Sequence, residues 1–279
     1  MLANEGTTGL QSAGLTLTFT DGSKLDVING GNAAATHDIS VPGGAGEASI
    51  TVTTNNNAQT GLDFFATGTA IGVEWHSAAD FMADGLKIGA SFSADTGAAA
   101  GASVALESSW GLGATYVTSA GDTAITIGAG IADSVFKDSA QDAPSSNGFH
   151  VGFSAVTGDL TVAAGYANGD KVGNGTATTD GGNEYEVNDN SVSKVGVKYV
   201  AGDVTLSVGY TSGAGKDSIV LGTAGSNEDA TDITEAGISY AVASGVTANL
   251  GWKDIDAKND GSNDTTGGSS WYVGATMSF

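Results

Sequence analysis

Apolar side chains recur along this chain at every second position far more often than at helical spacing, above all beyond residue 85. Ten strands are predicted there, at about 85–93, 102–118, 123–132, 148–156, 160–167, 192–200, 204–211, 232–242, 246–254 and 270–279. Upstream, "LTLTFTDGSKLDVING" is predicted to be a hairpin turning at Asp21-Gly22, and a further strand is predicted near Ile71–His76. The connections alternate in length. Tight glycine turns sit at Ser119–Asp122, Thr157–Asp159, Ala201–Asp203 and Ala243–Gly245, and long polar loops run over Ala167–Ser191 and Thr211–Asp232. In an up-and-down meander this rhythm collects the short turns at one end and the long loops at the other. The hairpins also resemble one another, "TGDLTVAAGYANG" from Thr157 matching "AGDVTLSVGYTSG" from Ala201. That is a repeated structural demand rather than a solenoid, because the loops between copies differ in length and content.

Successive strand side chains point to opposite faces, so the placement of charge tells which face is which. One phase holds Leu86, Ile88, Phe92, Val104, Leu106, Trp110, Leu112, Ile127, Ile131, Phe153, Val197, Leu206, Val208, Ile238 and Leu250, and it carries no charge. The other phase holds the strand charges Lys87, Glu107, His150, Lys194, Lys198, Glu235 and Lys253, with Glu74 and His76 in the earlier "IGVEWHS", among many Gly, Ser, Thr and Ala residues. A soluble sandwich also alternates, with its apolar phase as core. Aromatics favour a second arrangement. Tyr166, Tyr210, Trp252 and Trp271 fall beside the long loops and Tyr116, Tyr199, Tyr240 and Phe279 beside the short turns, two levels of amphipathic rings such as the two interfaces of a bilayer select. In that arrangement the clean phase faces lipid and the mixed phase lines a lumen.

Composition narrows the function classes. Nine basic residues, all lysine, against 31 acids give a formal charge of −22, which repels nucleic acid. The chain has no cysteine, so disulfides, thiolate metal sites and a cysteine nucleophile are excluded. No run approaches the roughly 18 apolar residues of a membrane-spanning helix. The amino end, "MLANEGTTGLQSAG", shows no export signal, and the expectation is a mature form or a missing beginning. Candidate chemistry is sparse: His37, His76 and His150 lie in no zinc spacing, no GxSxG elbow is present, and the glycine clusters lack a following helix. No metal site, cofactor or catalytic residue is expected, beyond weak calcium binding by Asp254, Asp256, Asp260 and Asp264 in an outer loop.

The terminal phenylalanine on an alternating last strand, "GGSSWYVGATMSF", together with the turn rhythm and the aromatic rings, resembles the outer-membrane general porins of Gram-negative bacteria, of alphaproteobacterial type. The resemblance implies a single domain over residues 1–279, an all-β, antiparallel up-and-down transmembrane barrel from a sixteen-stranded family, with about 13 to 14 strands in this chain. About three strands would be missing upstream, and the open edges left in lipid would be severely unfavourable. The resemblance further implies a homotrimer in outer-membrane lipid, recognition of the last strand and Phe279 by the barrel-assembly machinery, and a constriction loop, here residues 31–61, folded inward. Asp38 and Glu47 would be its acids. Lys194 and Lys198, about 13 Å apart on one strand face, and Lys87 would form the basic wall, with Glu74, Glu107 and His150 as further pore-lining candidates. Family porins usually place arginines there, and this chain has none. The implied function is passive, cation-preferring diffusion of small hydrophilic solutes, with no catalysis. A competing reading is a secreted or surface-attached acidic β-rich adhesin or calcium-binding structural protein, with the apolar phase as its core.

Overall fold

The computed structural model describes residues 14–27, 31–44, 58–66, 72–94, 106–136, 145–172, 186–216, 228–258 and 265–278. Three short strands come first: β1 (Leu15–Thr18), β2 (Lys24–Val27) and β3 (Gly72–His76), with the helical turn α1 (Ala33–Thr36) between β2 and β3. Ten longer ones follow: β4 (Leu86–Ala94), β5 (Leu106–Ala120), β6 (Thr123–Phe136), β7 (Ser145–Thr157), β8 (Leu160–Val172), β9 (Glu186–Ala201), β10 (Val204–Lys216), β11 (Glu228–Ala243), β12 (Val246–Lys258) and β13 (Thr265–Met277). All thirteen form one antiparallel sheet in chain order. Among the described residues β1 and β13 have one neighbour each.

Local chemistry sets the turns. Gly121, Gly158 and Gly202 each open a two-residue connection with φ of 62°, 55° and 61° and are followed by Asp, the arrangement of a type II′ hairpin turn whose first central residue must take positive φ. The first hairpin turns at Gly22, with φ of 87°. There the Asp21 carboxylate accepts from the Ser23 amide (2.9 Å) and hydroxyl (2.7 Å), and these bonds hold its pKa below the ordinary value.

The ten long strands lie where alternation predicts them, but most run further at the long-loop end. Tyr166, Tyr210 and Trp252 are each followed by six more strand residues, and Trp271 is preceded by six. Those stretches, such as "ANGDKV" and "TSGAGK", lack the apolar phase, yet their backbones continue to pair. They form a polar rim about 20 Å long, measured along each strand, above the aromatic level. A second departure has a local cause. Leu106, expected on the apolar face, is buried, because a bulge between Leu106 and Ser108 makes Glu107 an extra residue and reverses the phase before it.

The two faces differ as the charge pattern predicts. Leu112, Ile127, Ile131, Phe153, Leu206 and Ile238 are exposed, Val208 is 55% exposed and Trp271 on the last strand 71%. These residues are not sealed between two layers, so the premise of the soluble sandwich fails. The buried apolar residues Ala34, Leu62, Phe65, Ala132, Ala167 and Val192 lie instead between the opposite face and the segments 31–44 and 58–66. The fourteen residues 31–44, one helical turn included, cross from Glu74 on β3 to Glu235 on β11 and touch strands between them.

If the exposed apolar face meets hydrocarbon, a charge there is costly in a bilayer although harmless in water. Val208→Lys is expected to cost about 2–4 kcal/mol in urea unfolding from phospholipid vesicles, and Ser207→Lys, on the opposite face, less than about 1 kcal/mol. Equal, small effects would show that this face does not touch lipid.

Candidate functional site

The inward segment rests on a floor without side chains. A Cβ at Gly113 would strike the Ala33 carbonyl, one at Gly128 the His37 carbonyl, one at Gly196 or Gly209 the Pro42 carbonyl, and one at Gly165 the Leu62 side chain. At these positions glycine is required by the closeness of the chain above. α1 is short and is built from alanines, so it lies flat on this floor. The Asn32 side chain caps it by accepting from the Ala34 amide at 3.0 Å, and Ala33 and Ala34 are fully buried.

Carboxylates fasten both ends. Glu74 on β3 accepts from the Gly31 amide (2.7 Å) through one oxygen and from the Thr36 hydroxyl (2.6 Å) through the other. Glu235 on β11 accepts from the Gly44 amide (3.0 Å) and is paired with Lys253 of β12 at 3.1 Å. Between these anchors the His150 Nε2–H donates to the Ala34 carbonyl at 2.7 Å, and its Nδ1 lies 3.9 Å from the Asp38 carboxylate. His37 shares a 2.7 Å hydrogen bond with the Thr115 hydroxyl through Nδ1.

Asp38 is the electrostatic centre of the segment. Partial burial pushes its pKa up, opposed by His150 and Lys194 and assisted by the nearby Asp63. Burial also lowers the pKa of His37, with His76 adding to the effect. Lys194 acts on both Asp38 and Glu235, so one lysine of β9 faces acids on the segment and on β11.

The sequence candidates fare unequally. Asp38 and Lys194 lie within electrostatic reach of each other. Lys87 is exposed beside His37, and Lys198 is exposed nearer the short turns with no ion pair among the described residues. Glu74, at 4% exposure, is a tether rather than an open lining group, and His150, at 1%, is sealed between α1 and the Phe65 ring. Glu107 is exposed at the β5 bulge, and Glu47 lies outside the described residues. Tyr116, Tyr166, Tyr199, Tyr210 and Tyr240 are exposed on the apolar face, and Trp252 packs beside Trp271 at 6.4 Å; Phe279 lies outside the described residues. Asp254 and Asp256 sit on β12 rather than in a loop, and among the described residues no third metal-binding side chain joins them; Asp260 and Asp264 fall outside. The sequence reading missed Asp63, just beyond the expected loop boundary, and Asp26, which meets Glu74 and His76.

No protein-family model matches the sequence, and no curated protein matches it. Solved structures do. OmpF of Salmonella typhi, in complex with daunomycin, superimposes with a TM-score of 0.61 at 15% identity over 95% of this chain and 77% of that one. The fold is that of an outer-membrane porin barrel. The outer-membrane channel DcaP of Acinetobacter baumannii aligns with a TM-score of 0.54 at 12% identity over 95% of this chain and 83% of its own, and OmpT, an outer membrane protein of Vibrio cholerae, with 0.53 at 16% over 91% and 76%. At such identities the porin-barrel likeness is one of fold alone.

The glycine floor makes a steric prediction within this porin barrel. Gly209→Ala forces a methyl group against Pro42 and Gly43 and is expected to cost about 1–3 kcal/mol in unfolding. Gly268→Ala, with no atom within 4 Å of the added carbon, serves as control and is expected to change stability by less than about 0.5 kcal/mol. Equal effects would mean that the segment does not rest on the sheet.

Proposed function

We propose that this chain is a passive diffusion channel of a Gram-negative outer membrane, passing small hydrophilic solutes and preferring cations. One observation carries the reading: the face that a soluble protein would bury is exposed and apolar, while the opposite face holds a segment of the chain bearing its own charged groups. A lumen needs that division. The mechanism is size exclusion where the segment narrows the passage, together with the field of the groups that remain open there. Glu235 and Lys253 neutralise each other, leaving Asp38 and Asp63 against Lys194, an excess of one negative charge at the segment within a chain of net charge −22. The channel has no catalytic step in this reading, and its environment is outer-membrane lipid.

Conduction requires the edges of β1 and β13 to be paired, because unpaired backbone groups are not tolerated in hydrocarbon. Assembly as a homotrimer, and insertion by the barrel-assembly machinery through the last strand, belong to the same proposal and follow from the porin-like fold.

The test uses native protein extracted from outer-membrane fractions and reconstituted in a planar bilayer. Stepwise conductance is expected, with a reversal potential in a salt gradient of the sign that marks cation preference. Asp38→Asn combined with Asp63→Asn is expected to reduce the cation-to-anion permeability ratio about twofold or more. Burial raises the Asp38 pKa, so its charge is lost on acidification at a pH above the ordinary carboxylate value, and cation preference should begin to fall there. Absence of conductance would overturn the channel, whereas anion preference would overturn only the selectivity.

A further inference from the structure

Asp26 of β2 and Glu74 of β3 stand directly opposite each other in the ladder, with Lys24 opposite His76 one step along the same face. Two carboxylates in that relation repel, and the strain is greater because Glu74 is 4% exposed. His76, two residues after Glu74 and therefore on its side of the strand, places Nε2 2.9 Å from Asp26 Oδ2 and 3.9 Å from Glu74 Oε2. The three donor atoms all lie within 4.8 Å of one another. A tetrahedral zinc site, with bonds of about 2.0–2.2 Å, spaces its donors about 3.3–3.6 Å apart.

We propose that Asp26, Glu74 and His76 bind a divalent transition-metal ion of the zinc type. One imidazole and two carboxylates form a nitrogen and oxygen donor set that suits zinc, and the double positive charge cancels the repulsion across the ladder. The outer partners are in place. The Thr16 hydroxyl donates to the other Asp26 oxygen, and the Gly31 amide and Thr36 hydroxyl hold both oxygens of Glu74. The site joins β2 and β3 to the start of the inward segment, because Glu74 is both a ligand and the tether of Gly31 and Thr36.

The test is made on the full chain, folded in detergent, and does not depend on whether it conducts. Co2+ is titrated in excess Mg2+, which occupies the many exposed acids, and Zn2+ is then used to displace it. One saturable visible absorption band per chain is expected. Asp26→Asn and His76→Gln should each weaken binding by more than the roughly 10–100-fold that loss of an outer partner alone causes. No saturable band, or identical titrations of wild type and both variants, would overturn the site. If either variant fails to fold, zinc-edge X-ray absorption of the wild-type chain decides: imidazole scattering in a mixed nitrogen and oxygen shell supports the site, and an oxygen-only shell refutes it.

Discussion

A strand placed in hydrocarbon can satisfy its backbone N–H and C=O groups only by pairing with a neighbouring strand. Most of this structure follows from that constraint. The sheet keeps chain order, with short Gly-Asp turns closing the β5–β6, β7–β8 and β9–β10 hairpins, and the ladder continues past the aromatic level although the apolar phase has ended. With backbone demands met inside the sheet, the side chains are free to divide by face. Ile127, Leu206 and Val208 go to one face and Gly128, Ser207 and Gly209 to the other.

The second face gains a possibility the first lacks. Where it is paved with glycine, another piece of chain can lie directly on the backbone, and the buried apolar residues of this protein are found in that contact. Leu62 and Phe65 on the segment meet Ala167 and Val192 on the strands. Packing alone would let the segment slide, since a glycine floor offers few holes. Hydrogen bonds from Gly31 to Glu74 and from Gly44 to Glu235 fix the ends of residues 31–44, and the His150 bond to Ala34 holds them in between. Position comes from polar groups and adhesion from apolar ones.

Much of the sheet was legible in the sequence, because a period of two is a direct imprint of a pleated strand with one face kept apolar. The Gly-Asp turns and the aromatic levels were legible for the same kind of reason: each reflects a local demand. The polar rim was not, since residues 168–172 and 212–216 continue the ladder without an alternating apolar phase and leave no trace in hydropathy. The β5 bulge was invisible because one extra residue reverses a phase without changing composition. Of the candidate site, Lys194 could be read from charge on the polar phase and Asp38 from the expected loop, whereas the fate of Glu74 and His150 could not. Both stand on the polar phase, yet burial depends on which part of that face the segment covers, and that is settled by contacts 43 and 116 residues away in sequence.

The three histidines show how such distant contacts create chemistry. His37, His76 and His150 share no sequence spacing, but each lies within electrostatic reach of the first inward turn: His37 belongs to it, His150 bonds to its Ala34 carbonyl, and His76 stands beside the Glu74 that holds Thr36. Each also faces an oxygen group, Thr115, Asp38 and Asp26 respectively. The turn is only four residues long and supplies little stability of its own. Its place against the sheet is therefore set by these side chains, and a change in their charge or ligation acts on an element of the inner face that no strand ladder fixes.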